Sequence, residues 1–469
     1  MFFNRHLTSG SSSALFPQYS EVAWRTLAPV ALPADIISKY ANATMAVVGF
    51  EVDVLRKNEK TGKEESIPAY QSYNHHYGVM LHSTAAHMKL DAEGHATGPD
   101  MGHGKMLEFE VRKDVEAPPA GARLAQSFVH GNGQEHRQMF HGASPGYAQP
   151  LWSPGTFVVT PMQISTNDGT GRKGAGGILP KAKQNGVDPE AKYSPLLECP
   201  CTDRVTKQLN PDGSGKVNGG EYNGDCRAEP LSDLLVTKNP TCKAESYVGG
   251  LSCCGDSMCL LDKAQNPPDF TDEVFFRFRF YYEDYDGAKH QDINHVEWAV
   301  NGCDSGCGGR CPNGCSHIEF DVVQGVGSHV GPDVQVFQST FEAGQMLAAG
   351  CTPTDGQCMD ARTVGPDGFK LIMAGSHCHA PNCIRQELIN KDTGEVLCYG
   401  TTIKGETEEL YHEAGYLFTP PCLWGDAEGF QKPPTLLKNT TMQMVTYFNS
   451  TYGHPGQMGI WQMKAAVAV

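Results

Sequence analysis

The segment VFFRFRFYYEDYDG constrains the fold more than any other stretch, because apolar and charged side chains alternate along it. Phe276, Phe278, Phe280 and Tyr282 fall on one side, and Arg277, Arg279 and Tyr281 on the other. Such alternation predicts a half-buried strand. The same period recurs in MAVVGFEVDVL (Met45 to Leu55), DVQVFQ (Asp333 to Gln338), TMQMVTYF (Thr441 to Phe448) and MGIWQM (Met458 to Met463). Helical periodicity is scarce, and Gly, Pro, Asn and Asp clusters separate the strand-like runs. That is the pattern of an all-β sandwich or barrel.

With 469 residues the chain has room for two to three domains and can bury a core without help from metal or disulfides. Its formal net charge of -16 argues against nucleic acid or an anionic membrane surface as partner, since no basic run exists to release counterions. No apolar run approaches the roughly 18 to 20 residues that span a bilayer. A signal peptide is not evident, because MFFNRHLTSGSSSALF lacks a proper apolar region and cleavage site.

All 17 cysteines lie between Cys199 and Cys422. Cys199 and Cys201, then Cys253, Cys254 and Cys259, then Cys303, Cys307, Cys311 and Cys315 sit in Gly/Pro/Asn-rich loops, as disulfide-stapled loops do. A zinc reading is weaker, because no paired CxxC knuckles with histidine partners occur. The chain is therefore expected in an oxidising compartment, secreted or lumenal. Sequons at Asn42, Asn439 and Asn449 are compatible with this. An odd number of cysteines leaves at least one thiol unpaired or intermolecular, and Cys378 is a candidate. From Thr166 to Pro268 periodicity fails in runs such as NPDGSGKVNGGEYNGDC, which reads as a long irregular insertion held by cysteines.

Three constellations could carry chemistry. In SYNHHYGVMLHS, His75 and His76 are adjacent, so they reach one metal only at a strand end, bend or bulge, and two surface histidines are the alternative. In GSHCHAPNC, His377 and His379 share a face of a strand, where they could hold a metal or be partly buried structural histidines. Cys378 points the other way, towards a disulfide corner with Cys383 if it is not the free thiol. In NSTYGHPGQMGIWQM, His454 and Met458 open the last strand; a thioether favours copper over zinc, although a methionine there could equally be core. The chain carries no GxxxxGK[ST], no HExxH and no GxGxxG opening a helix after a strand, so nucleotide-dependent readings are weak.

The segments LECPCTDRVTKQ, YVGGLSCCGDSMC, FFRFRFYYEDYD, GSHCHAPNCIRQELINKDTGEVLC, YHEAGYLF and MVTYFNSTYGHPGQMGIWQM, in that order, resemble the stress-up-regulated nodulin family of plants. The resemblance covers most of Asp35 to Met463. That family is distantly similar to the copper type II, ascorbate-dependent monooxygenases, such as the peptidylglycine α-hydroxylating and dopamine β enzymes. The resemblance implies two jelly-roll-like β-sandwich domains facing across a cleft, with a Cys-rich irregular insertion. Residues 1–34 would be an N-terminal extension, 35–325 the first sandwich including the insertion 167–270, and 326–469 the second.

It also implies one or two copper ions, with ascorbate as reductant and a small organic substrate. His377, His379 and Met458 would form the catalytic copper site, while His75 and His76 would hold an electron-storing copper. The monooxygenases take a third histidine for that first copper from a strand equivalent to FVVTPMQISTNDG, which has none. Met162 falls closest. Either Met162 is the ligand, or one of His130, His136 and His141 substitutes, or the site is weak. The arginine, asparagine and tyrosine that anchor a peptide carboxylate are replaced by Gly375, Ile460 and Gln462, so a carboxylate-anchored peptide is not expected as substrate. The alternatives are a non-catalytic extracellular or wall-associated stress protein with at most one metal, and a loose metal scavenger.

Overall fold

The computed structural model describes residues 6–8, 22–24, 26–58, 60–69, 71–92, 97, 107–131, 139–165, 272–300, 319–322, 325, 327–347, 364–378, 383–404, 407, 417–451 and 454–468. The expected insertion 167–270 and the cysteines up to Cys358 lie outside them. Among the described residues the chain is all-β, with helix confined to Ala34–Lys39 and Ala343–Met346. Among the described residues no helix is long and apolar enough to cross a membrane.

Alternation explains the first sandwich. Along Val274–Asp284 every second residue is buried, and Phe276, Phe278 and Phe280 are fully so. Between them, Arg277 pairs with Glu64 and Arg279 with Glu51. This strand lies against Thr44–Lys57, which also pairs with Tyr147–Trp152, in a seven-stranded sheet. A five-stranded sheet faces it, ordered Val22–Trp24, Pro154–Ser165, Ser72–Ser83, Ala125–Gly131. Between the sheets sits an aromatic core in which Phe50 meets Tyr77 and Phe128 edge-on, and Tyr77 meets Phe278 likewise. Three strands of the expected N-terminal extension join these sheets: His6–Thr8 pairs with Val274–Asp284, and Val22–Trp24 and Val30–Ala31 with Pro154–Ser165.

A second core lies between two further sheets. One is ordered Asn294–Ala299, His454–Val467, Phe369–Cys378, Cys422–Leu423, and the other Val334–Glu342, Thr441–Asn449, Cys383–Asn390, Glu395–Thr401. Its centre is Trp461, with Phe369, Leu371, Met444, Phe448 and Met463 around it. The chain steps between the two pairs of sheets at Ile293: Gln291–Asp292 pairs with Tyr147–Trp152, whereas Asn294–Ala299 pairs with His454–Val467. The first strand of the second pair thus begins ahead of the boundary at 325 expected from the sequence.

The sandwiches touch through Ala143, Tyr147, Ile293, Ile372 and Ala466. Polar bonds flank this apolar seam. The Tyr147 hydroxyl donates to Asp426 at 2.6 Å, and the Ser144 hydroxyl to the Trp424 carbonyl at 2.5 Å. The Tyr147 hydrogen bond holds the Asp426 carboxyl below its ordinary range. A carboxylate lowered in this way stabilises the fold above its unfolded pKa and ceases to as pH falls through the folded value, so this clamp weakens in acid.

Among the described residues, two disulfides close the second sandwich. Cys378–Cys383 links the end of one strand to the start of the next, and Cys398–Cys422 joins the two sheets. Cys378 is therefore the partner of Cys383 and not the unpaired thiol. Cys398 and Cys422 are 24 residues apart, a loop whose closure restricts the unfolded chain by about 3 kcal/mol. The Cys398→Ala/Cys422→Ala double variant is expected to lose about that much stability. Urea unfolding checks it, with a slope that steepens as the unfolded chain loses its crosslink, and a loss below about 1 kcal/mol would contradict the assignment.

Candidate metal centres

GSHCHAPNC begins at the end of the Phe369 strand, whose partner is the His454 strand. Their register sets Ser376 against Trp461, His377 against Ile460 and Cys378 against Gly459. Trp461, Met463 and Ala465 point into the second core, so Ile460, Gln462 and Lys464 occupy the opposite face. His377, directly across from Ile460, shares that face, as does Met458 two positions further along. His377 is 4% exposed and Met458 1%. Cys378 turns the other way and bonds Cys383, both within the second core. His379 lies outside the described residues.

The backbone at His377 is fixed from the facing sheet. Its carbonyl accepts a hydrogen bond of 2.8 Å from Gln386, itself fully buried. The sheets approach closely here because position 459 is glycine: a Cβ there would come within 2.5 Å of the Thr446 hydroxyl. A buried glutamine clamping a strand end keeps the following side chains in a defined direction.

The adjacent pair His75 and His76 sits in the Ser72 strand. Met162 pairs with His76, and the next pair is Gln163 with Asn74, so His75 is the extra residue of a β-bulge. That is one of the few local geometries in which neighbouring residues stop pointing to opposite faces. Met162 is fully buried and directly across from His76. The other candidates for a third donor are spread out. His130 pairs with Tyr77 on the neighbouring strand. His141 belongs to the other sheet, pairs with Phe50 and stacks on its ring at 4.9 Å. His136 lies outside the described residues.

Among the described residues no three His, Cys, Asp or Glu side chains cluster as a metal site. Both candidate sets instead count a thioether beside imidazoles, a donor chemistry that fits a soft ion such as Cu(I). Backbone pairing brings His76 to Met162, and His377 to the face that carries Met458.

Sequence reasoning does not pick out Lys464, His295 or Gln149, which together with Gln462 line a small pocket between the sandwiches. The local signal is the lysine itself, the one charged residue in the run MGIWQMKAAVAV. Burial pushes the Lys464 amine down to about 7. Another spacing invites misreading: GASPG, Gly142 to Gly146, has the Gly-x-Ser-x-Gly form. It connects two strands, with no helix following it, and Ser144 is buried and donates to the Trp424 carbonyl. That is not the strand-to-helix elbow a serine nucleophile needs.

No protein-family model and no curated protein matches the chain. Among solved structures, the functional form of the mosquito-larvicidal Cry4Aa toxin from Bacillus thuringiensis aligns at 8% identity with a TM-score of 0.14, over 96% of this chain and 58% of the toxin chain. The chain thus spans less than two thirds of that structure's length, and a likeness of this size carries no argument about fold or function.

Proposed function

We propose that the protein is a secreted or lumenal copper protein that hydroxylates a small organic substrate, using O2 and a reductant of the ascorbate type. The observation that carries this reading is the shared face of His377 and Met458, with Cys378 turned into the core behind them. His377, His379 and Met458 would hold one copper, and His75, His76 and Met162 a second. Bound copper supplies the one-electron and O2 chemistry. The chain's own part is to hold the donors: Gln386 fixes the His377 peptide, the Cys378–Cys383 bond ties the chain on either side of His379, and the bulge at His75 breaks the strand's alternation. Disulfides in the second sandwich favour an oxidising compartment.

A second reading, a non-catalytic scaffold with at most one metal, is favoured by Met162 standing across from His76 where the enzymes it resembles use histidine. Ascorbate-dependent O2 uptake by copper-loaded protein separates the two. For the metal itself, loaded protein should retain about one to two copper ions per chain, with a sulfur shell in X-ray absorption that falls in Met458→Leu. Substantially less than one copper per chain, or a sulfur shell unchanged in that variant, would defeat the proposal.

A further inference from the structure

The pocket between the sandwiches lies apart from both metal sets. From the first sandwich, Phe50, Phe128, His141 and Gln149 face it; from the second come His295, Met373, Gln462 and Lys464. Strand register explains why these groups converge. Lys464 pairs with His295 on one side and with Met373 on the other, and Gln462 follows on the same face. That face is the one turned towards the first sandwich, as Ala466 and Ile293 in the seam show.

Lys464 is an anomaly within it. Its residue is 8% exposed, and among the described residues its Nζ is buried without a hydrogen-bond partner. A buried ammonium without a counter-charge is costly. The charged and titratable groups around it do not neutralise it. His295 bonds Glu297 at 3.1 Å, which commits that carboxylate, and His141 is stacked on Phe50. Apart from the amides of Gln149 and Gln462, the remaining lining is aromatic and aliphatic. A cation in the lining of a largely apolar pocket suits a ligand with one negative end and an apolar body.

We infer that the pocket between the two sandwiches binds a small organic monocarboxylate, its carboxylate on Lys464 and its apolar body against Phe50, Phe128 and Met373. This goes beyond the copper reading and does not depend on it, because neither His377 nor Met458 lines the pocket and the four residues from Lys464 to Ile460 span roughly 13 Å of strand. A carboxylate restores the charge partner that the lysine lacks. Binding to the protonated amine therefore takes up a proton once pH exceeds the lowered pKa, and affinity should fall about tenfold per pH unit above that point. His141, His295 and Glu297 are the other titratable groups that face this space or adjoin it.

Butyrate and benzoate, added to protein without metal at constant ionic strength, test the inference, with butyramide and benzamide as uncharged controls. The acids should raise Tm at pH 6, do so much less at pH 9, and leave Lys464→Met unmoved, while the amides do nothing. Lys464→Met should fold, since it replaces an unpaired buried charge with an apolar chain of similar length. A crystal soaked in 4-bromobenzoate should show bromine density in the pocket. Equal responses from Lys464→Met and wild type, equal effects of amide and acid, or bromine density absent from the pocket would each overturn the inference. Failure of copper binding leaves it standing.

Discussion

Trp461→Ala is expected to destabilise the second sandwich by about 3–5 kcal/mol, the range for removing a fully buried indole from a core that cannot collapse around the space. Collapse is hindered because the surroundings are rigid. Trp461 is fully buried and pairs across the sheet with Trp298 and Ser376. Trp298 is in turn stacked on Phe341 at 4.4 Å and donates to Ser339 at 3.0 Å. The facing sheet is fitted to the indole: at Gly400 a Cβ would meet the Ser376 hydroxyl and lie 3.3 Å from the Trp461 ring. Denaturant unfolding followed by far-ultraviolet circular dichroism reads the loss. A change below about 1 kcal/mol would show that the two sheets do not close on Trp461. Because the side chains on either side of it, Ile460 and Gln462, face the opposite way, copper retention should fall only as the fold itself is lost.

His377→Ala is the reciprocal case, with a small effect on stability and a large one on metal. His377 faces away from the second core, so stability should move by no more than about 1–2 kcal/mol. Copper affinity should fall by about 100-fold or more, since even the loss of an outer partner costs 10–100-fold and an imidazole ligand contributes directly. A competition titration with a Cu(I) chelator, run beside thermal unfolding of the same variant, checks both halves. Unchanged copper affinity would remove His377 from the ligand set and leave the scaffold reading as the stronger one.

How much of this was legible beforehand follows from how far each feature depends on distant chain. VFFRFRFYYEDYDG, MAVVGFEVDVL and TMQMVTYF each declare a strand through their own alternation, and each lies in one: Val274–Asp284, Thr44–Lys57 and Thr441–Asn449. GSHCHAPNC was legible for the same reason, since opposite faces for His377 and Cys378 need nothing beyond a strand's period. The bulge at His75 was open as a possibility, yet its place follows from which residue of the Pro154 strand meets which of the Ser72 strand. That is a matter of register.

The sequence by itself therefore determined the all-β class, the course of the principal strands and the two-sided character of the stretch around Cys378, because side-chain period is a local property. Only the tertiary structure decided that His76 meets Met162, that Cys398 reaches Cys422 across two sheets, and that Lys464 is buried towards the first sandwich with no partner among the described residues. Each of these depends on register or on how one sheet covers another. Contacts of that kind are set by the summed packing of residues far apart in the chain, which no local pattern encodes.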